Sequence, residues 1–316
     1  MSHFTVVIPT YNRAQLVHRA IESAINQTAK ADQIVVVDDG STDDTAGVCG
    51  KYADSIEYVR QPNAGVSAAR NHGIKRARHP WTAFLDSDDY WLPTHLEKIA
   101  GAIEGTSGRA AFYFTDLQFS DGAGGGTLWT KIGLQFSEPF ILAPDGTRWL
   151  LTRQQPCAIQ TTVMSTPKLR AAGGFDPTFR VMEETDLYYR LGVGSPICAV
   201  NGIGGIQTSD DSQDNRLTGI VNSRSEDYWK HAYRLSSNVL ARFPNLKRRH
   251  RQALRFDMAC ASWMLARVHW RSGGFASGCR ALFQSLRIYP PFLLSVICRN
   301  QSPGWERNVF STQATS

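Results

Sequence analysis

The sequence predicts an α/β fold in which a mostly parallel central sheet is flanked by helices and followed by a helical C-terminal region. Short apolar runs alternate with segments of helical period through the first part of the chain. Several of these runs are continuously apolar rather than alternating, which is typical of parallel strands that are buried on both faces. Beyond about residue 225 the helical period continues without strand-like runs.

The order of the elements follows from these patterns. Strands are predicted where β-branched and aromatic residues cluster, at residues 4–8, 33–37, 56–59, 81–85 and 110–115. Helices are predicted between them, at about 16–25, after residue 41, at 66–78 and at 93–104. Asn12 is placed to cap the first of these helices and Ser41 the second. A helical hairpin is predicted at about 253–271 and 275–288.

Polar side chains directly follow three of the predicted strands. Tyr11 follows the first strand, Asp38 and Asp39 end the second, and residues 86–89 follow the fourth. The carboxyl ends of parallel strands lie at one edge of a sheet, and doubly wound sheets bind their ligands there. We therefore expect these side chains to share one crevice.

The segment after the fourth strand carries three carboxylates within four positions, Asp86, Asp88 and Asp89. Carboxylates this close repel one another unless positive charge lies between them. Mg²⁺ or Mn²⁺ suits such a site, because each takes oxygen ligands, binds through one or two carboxylates and leaves positions for substrate phosphates. The alternative interpretation is an acidic loop that caps the next helix, a role that suits Asp89 best.

Length and composition describe an ordinary globular chain. The 316 residues are 42% hydrophobic, enough for one large domain or for one domain with an appendage. The six cysteines follow neither metal-site nor disulfide-framework spacing, which favours a reducing compartment. No leader-like N-terminal segment and no membrane-spanning apolar run is recognisable, so we expect a cytoplasmic location.

The charge is concentrated toward the C-terminus. Residues 242–307 contain twelve Lys and Arg and two acids, a net charge of about +10, although the whole chain carries +6. Residues 246–251 form a dense cationic run, which is either a solvated helix face or a contact with anionic lipid head groups at the inner face of the membrane. The apolar stretch 290–297 supports the lipid interpretation. No nucleic-acid-binding motif is present, so no nucleic-acid partner is expected.

The change in character near residue 220 predicts two parts. Residues 1–220 form the predicted catalytic domain, and residues 221–316 form a basic, helical C-terminal region.

Five motifs in this order resemble those of the family 2 glycosyltransferases, which are inverting enzymes of the GT-A fold. They are PTYNR at 9–13, VDDGSTD at 37–43, NAGVSAARN at 63–71, FLDSDD at 84–89, and GGFD at 173–176 leading to EETDLYYRL at 183–191. Each motif is weak alone, and the order makes the set specific. The resemblance covers about residues 3–210 and leaves the C-terminal region outside it.

The resemblance implies a nucleotide-sugar donor, most often a UDP-sugar, and a hexose or N-acetylhexosamine as the transferred group. It places Asp39 against the N–H edge of uracil and Tyr11 against the base. Further donor-binding residues implied by the motifs are Pro9, Thr10, Arg13, Arg70, Asp86 and Ser87. A turn cap is the alternative role for Asp39, and a surface salt bridge is the alternative for Arg70.

The resemblance also assigns the metal ligand and the catalytic base. Asp88, the last residue of the D-x-D motif, is the implied ligand of Mn²⁺ or Mg²⁺, with Asp86 touching the metal or the ribose. An acceptor hydroxyl needs a general base. The family places Asp at the position of Glu184, so this chain departs from the pattern, and Asp186 and Glu183 are the alternative bases. The whole acidic cluster is alternatively a helix cap.

A second departure lies at 206–212, where many relatives carry a His and this chain has none. Asp210 or Asp211 is a substitute for that His, and a loop that closes over the donor is the alternative interpretation. Trp91, Trp129 and Trp149 are either sugar-stacking platforms or core residues.

Taken together, the residues predict a metal-dependent inverting glycosyltransferase of cell-surface polysaccharide or glycolipid synthesis, with a glycan or glycolipid acceptor. Two alternatives stay open at this point. A sugar-1-phosphate nucleotidyltransferase has a related sheet, but it needs a glycine-rich loop where residues 9–13 stand. In a non-catalytic nucleotide-sugar-binding protein, the carboxylates at 86, 88 and 184 would have no catalytic role.

Overall fold

The structure of the chain is a computed structural model, and it describes residues 2–120, 125–152, 155–208 and 225–291. The chain divides into two compact units. Of the described residues, the first unit contains those up to Pro177 and those from Leu187 to Thr208, and the second contains Thr178–Asp186 and residues 225–291. The predicted boundary near residue 220 stays a prediction, since residues 209–224 lie outside the described part.

The first unit is built on one nine-stranded sheet. Its strands are β1 Phe4–Thr10, β2 Gln33–Asp38, β3 Glu57–Arg60, β4 Trp81–Phe84, β5 Tyr90–Trp91, β6 Phe112–Phe119, β7 Phe140–Ala143, β8 Thr162–Ser165 and β9 Ile197–Gln207. The spatial order is β3-β2-β1-β4-β8-β6-β9-β5, with β7 paired to β9. The five predicted strands are confirmed, and the sixth observed strand in chain order extends four residues beyond its predicted end.

Helices lie between the strands of this unit. They are α1 Val17–Ile25, α2 Thr45–Gly50, α3 Val66–Arg76, α4 His95–Gly105, α5 Leu128–Ile132, α6 Thr147–Leu150, α7 Thr166–Ala171 and α8 Glu183–Gly192, the last of which begins in the second unit. The α/β fold with helices around a central sheet is therefore confirmed.

The N-terminal half of the sheet is parallel throughout, since β1 pairs in parallel with both β2 and β4, and β2 pairs in parallel with β3. The other half is mixed. Strand β8 runs antiparallel between β4 and β6, and β5 and β7 run antiparallel to β9. Only β6 and β9 are parallel there. The helix-connected strands at the start of the chain thus make the parallel part, as right-handed crossovers require.

Strand β2 shows why its run is apolar without alternation. Ile34 and Val36 pack in the core cluster that contains the buried face of α1, including Ala20 and Ile21. The intervening residues Val35 and Val37 pack on Ala69 of α3. Helices therefore cover both faces of the strand, which removes every side chain from water.

Two predicted helix caps are wrong, because the residues tie two loops to each other. Asn12 has φ 51°, and its Oδ1 accepts a hydrogen bond from the Thr42 backbone N–H at 2.8 Å. Ser41 Oγ accepts from the Asn12 N–H at 2.9 Å. Helix α1 has Leu16 at its N-cap, without a side-chain cap. At α2 the N-cap is Asp44, without a side-chain cap, and Asp43 Oδ1 accepts from the N–H of Thr45 at 3.1 Å.

The helices of the second unit are α9 Glu226–Arg242, α10 Arg248–Arg271 and α11 Phe275–Ile288. The predicted hairpin of α10 and α11 is confirmed, and α10 begins five residues before its predicted start. Gly278 lets the two helices approach, because a Cβ there would lie 2.2 Å from the Trp270 ring. Ser285 Oγ donates to the Ala259 carbonyl at 2.8 Å across the same interface. Among the described residues, none of the helices combines the length and apolar character that crossing a bilayer requires.

Candidate active site

Three neighbouring strands bring the predicted polar residues to one edge of the sheet. Thr10, at the end of β1, lies in register with Asp38 at the end of β2, and the Asp39 N–H donates to the Thr10 carbonyl at 2.9 Å. On the other side of β1, Val7 lies opposite Phe84, the last residue of β4. The carboxyl ends of β1, β2 and β4 therefore meet, and the segment 86–89 leaves from this edge.

Residues 86–89 form a tight turn, in which the Asp89 N–H donates to the Asp86 carbonyl at 3.1 Å. The side chains of Asp86 and Asp88 are 23% and 22% exposed, so a ligand from solvent can reach both carboxylates. Ser87 between them is buried. The turn thus presents two of its three acids and keeps the rest of the motif inside.

Each presented carboxylate faces an arginine. Arg70 Nη2 donates to Asp86 Oδ1 at 2.8 Å, and the buried guanidinium lies 5.2 Å from the centre of the Phe175 ring. Arg13 Nε lies 3.8 Å from Asp88 Oδ2. Arg70 does form a salt bridge, but the prediction of a surface position is wrong, because its side chain is 3% exposed. Two guanidinium groups therefore offset the repulsion within the acidic turn.

Asp89 does not cap the following helix, so that prediction is wrong. Helix α4 has Thr94 at its N-cap, and Gln27 Oε1 accepts from the Leu96 N–H at 3.0 Å. The Asp89 carboxylate is buried, and its Oδ1 accepts from the Thr208 N–H at 2.9 Å. Burial, followed by the charges of Asp88 and Asp86, raises the pKa of Asp89 well above its ordinary value.

Asp39 is buried and already bonded to its own chain. Its Oδ1 accepts from Gln61 Nε2 at 2.7 Å and from the Ala64 N–H at 2.9 Å, and its Oδ2 accepts from the Gly65 N–H at 2.7 Å. The carboxylate therefore shapes the loop that leads into α3. A shallow, open pocket of about 480 Å³ lies beside this loop, lined by Gly40, Arg60, Gln61, Pro62 and Asn63.

The first predicted loop is partly strand. Pro9 and Thr10 are the last two residues of β1 and are buried, whereas Tyr11 is 40% exposed at the edge of the sheet. Within the described part of the chain, Thr10 Oγ1 and Ser67 Oγ are buried hydroxyls without a hydrogen-bond partner. Both hydroxyls belong to segments that lead to or follow the ends of β1 and the Asp39 loop, and both are unpartnered inside the protein.

The three tryptophans considered as sugar platforms are core residues. Trp91, Trp129 and Trp149 are all buried. The Trp91 indole N–H donates to the Gln160 carbonyl, and the Trp129 indole N–H donates to the Pro156 carbonyl at 2.7 Å. None of the three presents a ring face to a ligand.

The second acidic cluster begins helix α8 in the second unit. Met182, just before it, has φ 66°, a conformation that side-chain-bearing residues seldom adopt and that clusters at functional sites. Glu183 and Asp186 are buried, whereas Glu184 is half-buried. Glu184 is therefore the most accessible acid of the cluster that begins α8.

Helix α9 packs against the segment that precedes the acidic cluster at the start of α8. Phe179 is buried, its ring lies 5.4 Å from the His231 ring, and the Arg234 guanidinium lies 4.3 Å from its centre. Arg180 Nη1 lies 3.9 Å from Asp227 Oδ2 of the same helix. The second unit thus holds the chain just ahead of Glu184.

Sequence reasoning missed several residues that shape the site. Thr208 accounts for the position of the acidic turn, since its Oγ1 donates to the Asp88 carbonyl and its N–H to Asp89. Gln61 and Phe175 were also missed. Gln61 donates to Asp39 and lies outside the motifs, and Phe175 packs under the Arg70 guanidinium as an apolar residue of the GGFD motif. Thr208 lies in the segment considered as a mobile loop, whereas Asp210 and Asp211 lie outside the described residues.

The family assignment follows from comparison with known proteins. The model of glycosyl transferase family 2 matches residues 5–145. This part of the chain is a glycosyltransferase family 2 region, which confirms the resemblance predicted from the motifs. The matched residues contain the first four motifs, including the acidic turn, and end before the cluster of α8.

Among curated relatives, the chain is similar to the UDP-Glc:alpha-D-GlcNAc-diphosphoundecaprenol beta-1,3-glucosyltransferase WfaP of Escherichia coli. The two are 39% identical over 98 residues, which is 30% of this chain and 39% of WfaP. The chain spans between 14% and 39% of the length of such relatives.

Solved structures share the fold over nearly the whole chain. Staphylococcus aureus TarS 1-349 in complex with UDP-GlcNAc has a TM-score of 0.63 at 19% identity, covering 98% of this chain and 91% of that one. The mannosyltransferase PcManGT of Pyrobaculum calidifontis, in complex with GDP-Man and Mn²⁺, has a TM-score of 0.51 at 13% identity, covering 94% and 86%.

Proposed function

We propose that this protein is an inverting glycosyltransferase that moves a hexosyl or N-acetylhexosaminyl group from a UDP-sugar to an acceptor hydroxyl. The observation that carries the proposal is the acidic turn after β4. Asp86 and Asp88 are exposed to solvent, lie at the ligand-binding edge of a family 2 region, and are each faced by an arginine. Such a set of charges suits a diphosphate held with a divalent cation.

The residues around the turn suit a nucleotide donor. Arg13 and Arg70 are positive groups beside the carboxylates, and a guanidinium matches phosphate oxygens through its planar fork. A UDP donor is supported by the UDP and UDP-GlcNAc complexes of TarS. Asp39 already accepts three hydrogen bonds, so a uracil N–H would add a fourth to its carboxylate.

The acidic turn fits Mg²⁺ or Mn²⁺. Asp88 and Asp86 supply accessible oxygen ligands of the kind that both ions prefer, and these ions need only one or two carboxylates when phosphates complete the shell. When bound, the ion would supply charge stabilisation to the departing diphosphate. The Mn²⁺ complex of PcManGT supports this choice.

The acceptor hydroxyl is activated by Glu184 in this proposal. The carboxylate takes the hydroxyl proton, the hydroxyl oxygen forms a bond to the anomeric carbon, and the bond from that carbon to the diphosphate breaks with its electron pair leaving on UDP. One displacement from the opposite face inverts the configuration. Glu184 is preferred over Glu183 and Asp186 because those two are buried. Glu184→Gln should abolish transfer and leave UDP binding unchanged, whereas Asp186→Asn should retain most of the transfer rate.

The acceptor is proposed to be a glycan or glycolipid at the inner face of a membrane, in cell-surface polysaccharide synthesis. The name of WfaP describes a diphosphoundecaprenol acceptor. Helix α11 exposes Phe275 and Phe283, at 74% and 70%, on one face beside Arg280 and Arg287. Aromatic groups flanked by cations suit an anionic bilayer surface. The apolar stretch 290–297 lies almost wholly outside the described residues.

Sedimentation with vesicles tests the membrane contact. The wild type should bind phosphatidylglycerol-containing vesicles at low salt, and the Phe275→Ser/Phe283→Ser variant should lose binding while retaining hydrolysis of the donor. Binding of neither protein, or equal binding of both, would contradict a contact through α11.

Calorimetric titration of UDP tests the donor site. The wild type should bind UDP in the presence of Mn²⁺ and bind it far more weakly without the ion, and Asp88→Ala should lose the dependence on Mn²⁺. Asp54→Ala removes one exposed carboxylate elsewhere and serves as the matched control. If UDP does not bind with Mn²⁺ present, GDP and dTDP are titrated next, and failure of all three rejects the proposal. Screening UDP-sugars for hydrolysis then identifies the transferred group.

A further inference from the structure

A second cluster of potential ligands lies at the edge of the sheet opposite the acidic turn. His3 precedes β1, Asp32 precedes β2, and His79 lies two residues before β4. Because these strands are parallel neighbours, their amino ends meet in the same way as their carboxyl ends. Three segments far apart in sequence therefore bring two imidazoles and one carboxylate together.

The geometry of this cluster is convergent. His3 Nδ1 lies 2.8 Å from Asp32 Oδ1, and the rings of His3 and His79 are stacked with centroids 6.0 Å apart and an interplanar angle of 28°. One potential ligand atom of each residue lies within 4.8 Å of the other two. Across the described ranges, no other group of three or more His, Cys, Asp and Glu side chains converges in this way.

We propose that His3, Asp32 and His79 form a binding site for a divalent transition-metal ion, with Zn²⁺ as the best match. Two imidazole nitrogens and one carboxylate oxygen are a common three-ligand set for zinc, which takes water in its fourth position. This donor set differs from the oxygen-only ligands of the acidic turn, which suit Mg²⁺ or Mn²⁺. The two sites therefore select different ions.

The distances permit such an ion with small movements. Ligands at about 2.1 Å in a tetrahedral arrangement lie roughly 3.4 Å from one another. The His3 and Asp32 atoms must open slightly from 2.8 Å, as the proton between them is replaced by the ion, and the remaining separations, which are all within 4.8 Å, need change only by about an ångström. His3 and Asp32 are exposed and His79 is half-buried, so the side chains are free to make these adjustments and water can reach the fourth position.

The backbone orients the carboxylate. The Phe4 N–H donates to Asp32 Oδ2 at 2.9 Å, which leaves Oδ1 directed at His3. Hydrogen bonds of this kind to the non-ligating atom of a ligand are what orients metal-binding side chains in proteins. Partial burial opposes ionisation, but the hydrogen bonds from His3 and Phe4 and the nearby imidazoles lower the pKa of Asp32, so the ligand is charged at neutral pH.

A bound ion would link His3, just before β1, to the segments that precede β2 and β4. Because the ion binds the folded chain only, it raises the midpoint of thermal unfolding by an amount that grows with the logarithm of the ion concentration above the dissociation constant. We expect a rise of about 2–4 °C at an ion concentration well above the dissociation constant. The inference does not depend on the proposed transferase activity.

Calorimetry and thermal unfolding of the tag-free, chelator-treated full chain test the site with Zn²⁺ alone. We expect one equivalent bound at micromolar strength and a matching rise in midpoint. Asp32→Asn retains the size of the side chain and an acceptor for the Phe4 N–H, so it should fold and lose at least tenfold in affinity. His79→Ala should do the same. His18→Ala removes a histidine outside the cluster and should bind as the wild type does.

The Asp88→Ala variant separates this site from the acidic turn, since it should lose the dependence of UDP binding on Mn²⁺ and keep its Zn²⁺ equivalent. Absence of stoichiometric Zn²⁺ binding by the wild type would overturn the inference. Equal affinity in the wild type, Asp32→Asn and His79→Ala would overturn it as well, because the ion would then be bound elsewhere.

Discussion

Two acidic pairs lie at or just after the ends of β2 and β4, the strands on either side of β1, and the two pairs differ in burial and in hydrogen bonding. Asp38 and Asp39 at β2 are buried and accept hydrogen bonds from their own chain. Asp86 and Asp88 after β4 are exposed in part and face arginine side chains. In sequence both pairs are carboxylates following an apolar run, and nothing in the residue types separates them.

The difference lies in how the charge of each pair is satisfied. Asp38 Oδ2 accepts from Tyr58 OH at 2.5 Å and its Oδ1 accepts from the Ser41 N–H at 2.8 Å. Burial, and then the bond to this carboxylate, raises the pKa of Tyr58, so the tyrosine stays a donor. A buried carboxylate with a hydrogen bond to each oxygen suits a structural role. Asp86 and Asp88 are instead balanced by arginine side chains that a metal ion could replace, which is why we propose the β4 pair as the functional one.

The largest expected effect is on catalysis at the exposed pair. Asp88→Asn should lower the rate of UDP-sugar hydrolysis about 100-fold or more, since it weakens the ligand that holds the ion at the diphosphate. Its midpoint of unfolding should change by less than about 2 °C, because an exposed pair contributes little to stability. Initial rates and calorimetric scans measure both quantities. Activity within a few-fold of the wild type would assign the ion to other ligands.

The buried pair should show the reverse pattern. Asp38→Asn should lower the free energy of unfolding by about 1.5–3 kcal/mol, because hydrogen bonds to a buried charged acceptor are lost and the new amide N–H₂ faces existing donors. Urea unfolding measures this, with Asp54→Asn at an exposed position as the control. Tyr58→Phe should remove part of the same energy, and the double variant should lose less than the sum of the two.

The strands of the parallel half of the sheet and the acidic turn were predictable, because short-range patterns determine them. The run 33–37 is apolar at every position, and the register that brings Thr10 to Asp38 follows from parallel pairing. Strand β8 was not predictable, since its antiparallel place between β4 and β6 depends on contacts distant in sequence. The salt bridges of Arg13 and Arg70 and the hydrogen bonds from Thr208 were not predictable for the same reason, since their partners are distant in sequence.

Asp39 tests the contrast between the acids at the end of β2 and those after β4. The resemblance assigns it to uracil, whereas the structure gives it three hydrogen-bond donors from its own chain. Asp39→Asn should lower the free energy of unfolding by about 1–2 kcal/mol through loss of the bond from the Gly65 N–H. UDP affinity in the presence of Mn²⁺ should fall about tenfold, measured well below the unfolding midpoint. Weakened UDP binding with unchanged stability would make Asp39 a ligand-binding acid and break the contrast between the two strand ends.

The smallest expected effect concerns the arginine that faces the metal ligand. Arg13 lies 3.8 Å from Asp88 and competes with a cation for it, so Arg13→Ala should bind Mn²⁺ alone more tightly, by about fivefold. The same variant should bind UDP with Mn²⁺ more weakly, because it loses a guanidinium beside the phosphates. Arg60→Ala is the matched control, since Arg60 Nε lies 4.0 Å from the buried Asp38 and the variant should leave Mn²⁺ binding unchanged. Opposite signs for the ion and the nucleotide are the outcome that a purely structural Arg13 would not produce, and a parallel loss of both would show that the arginine supports the turn without exchanging with the ion.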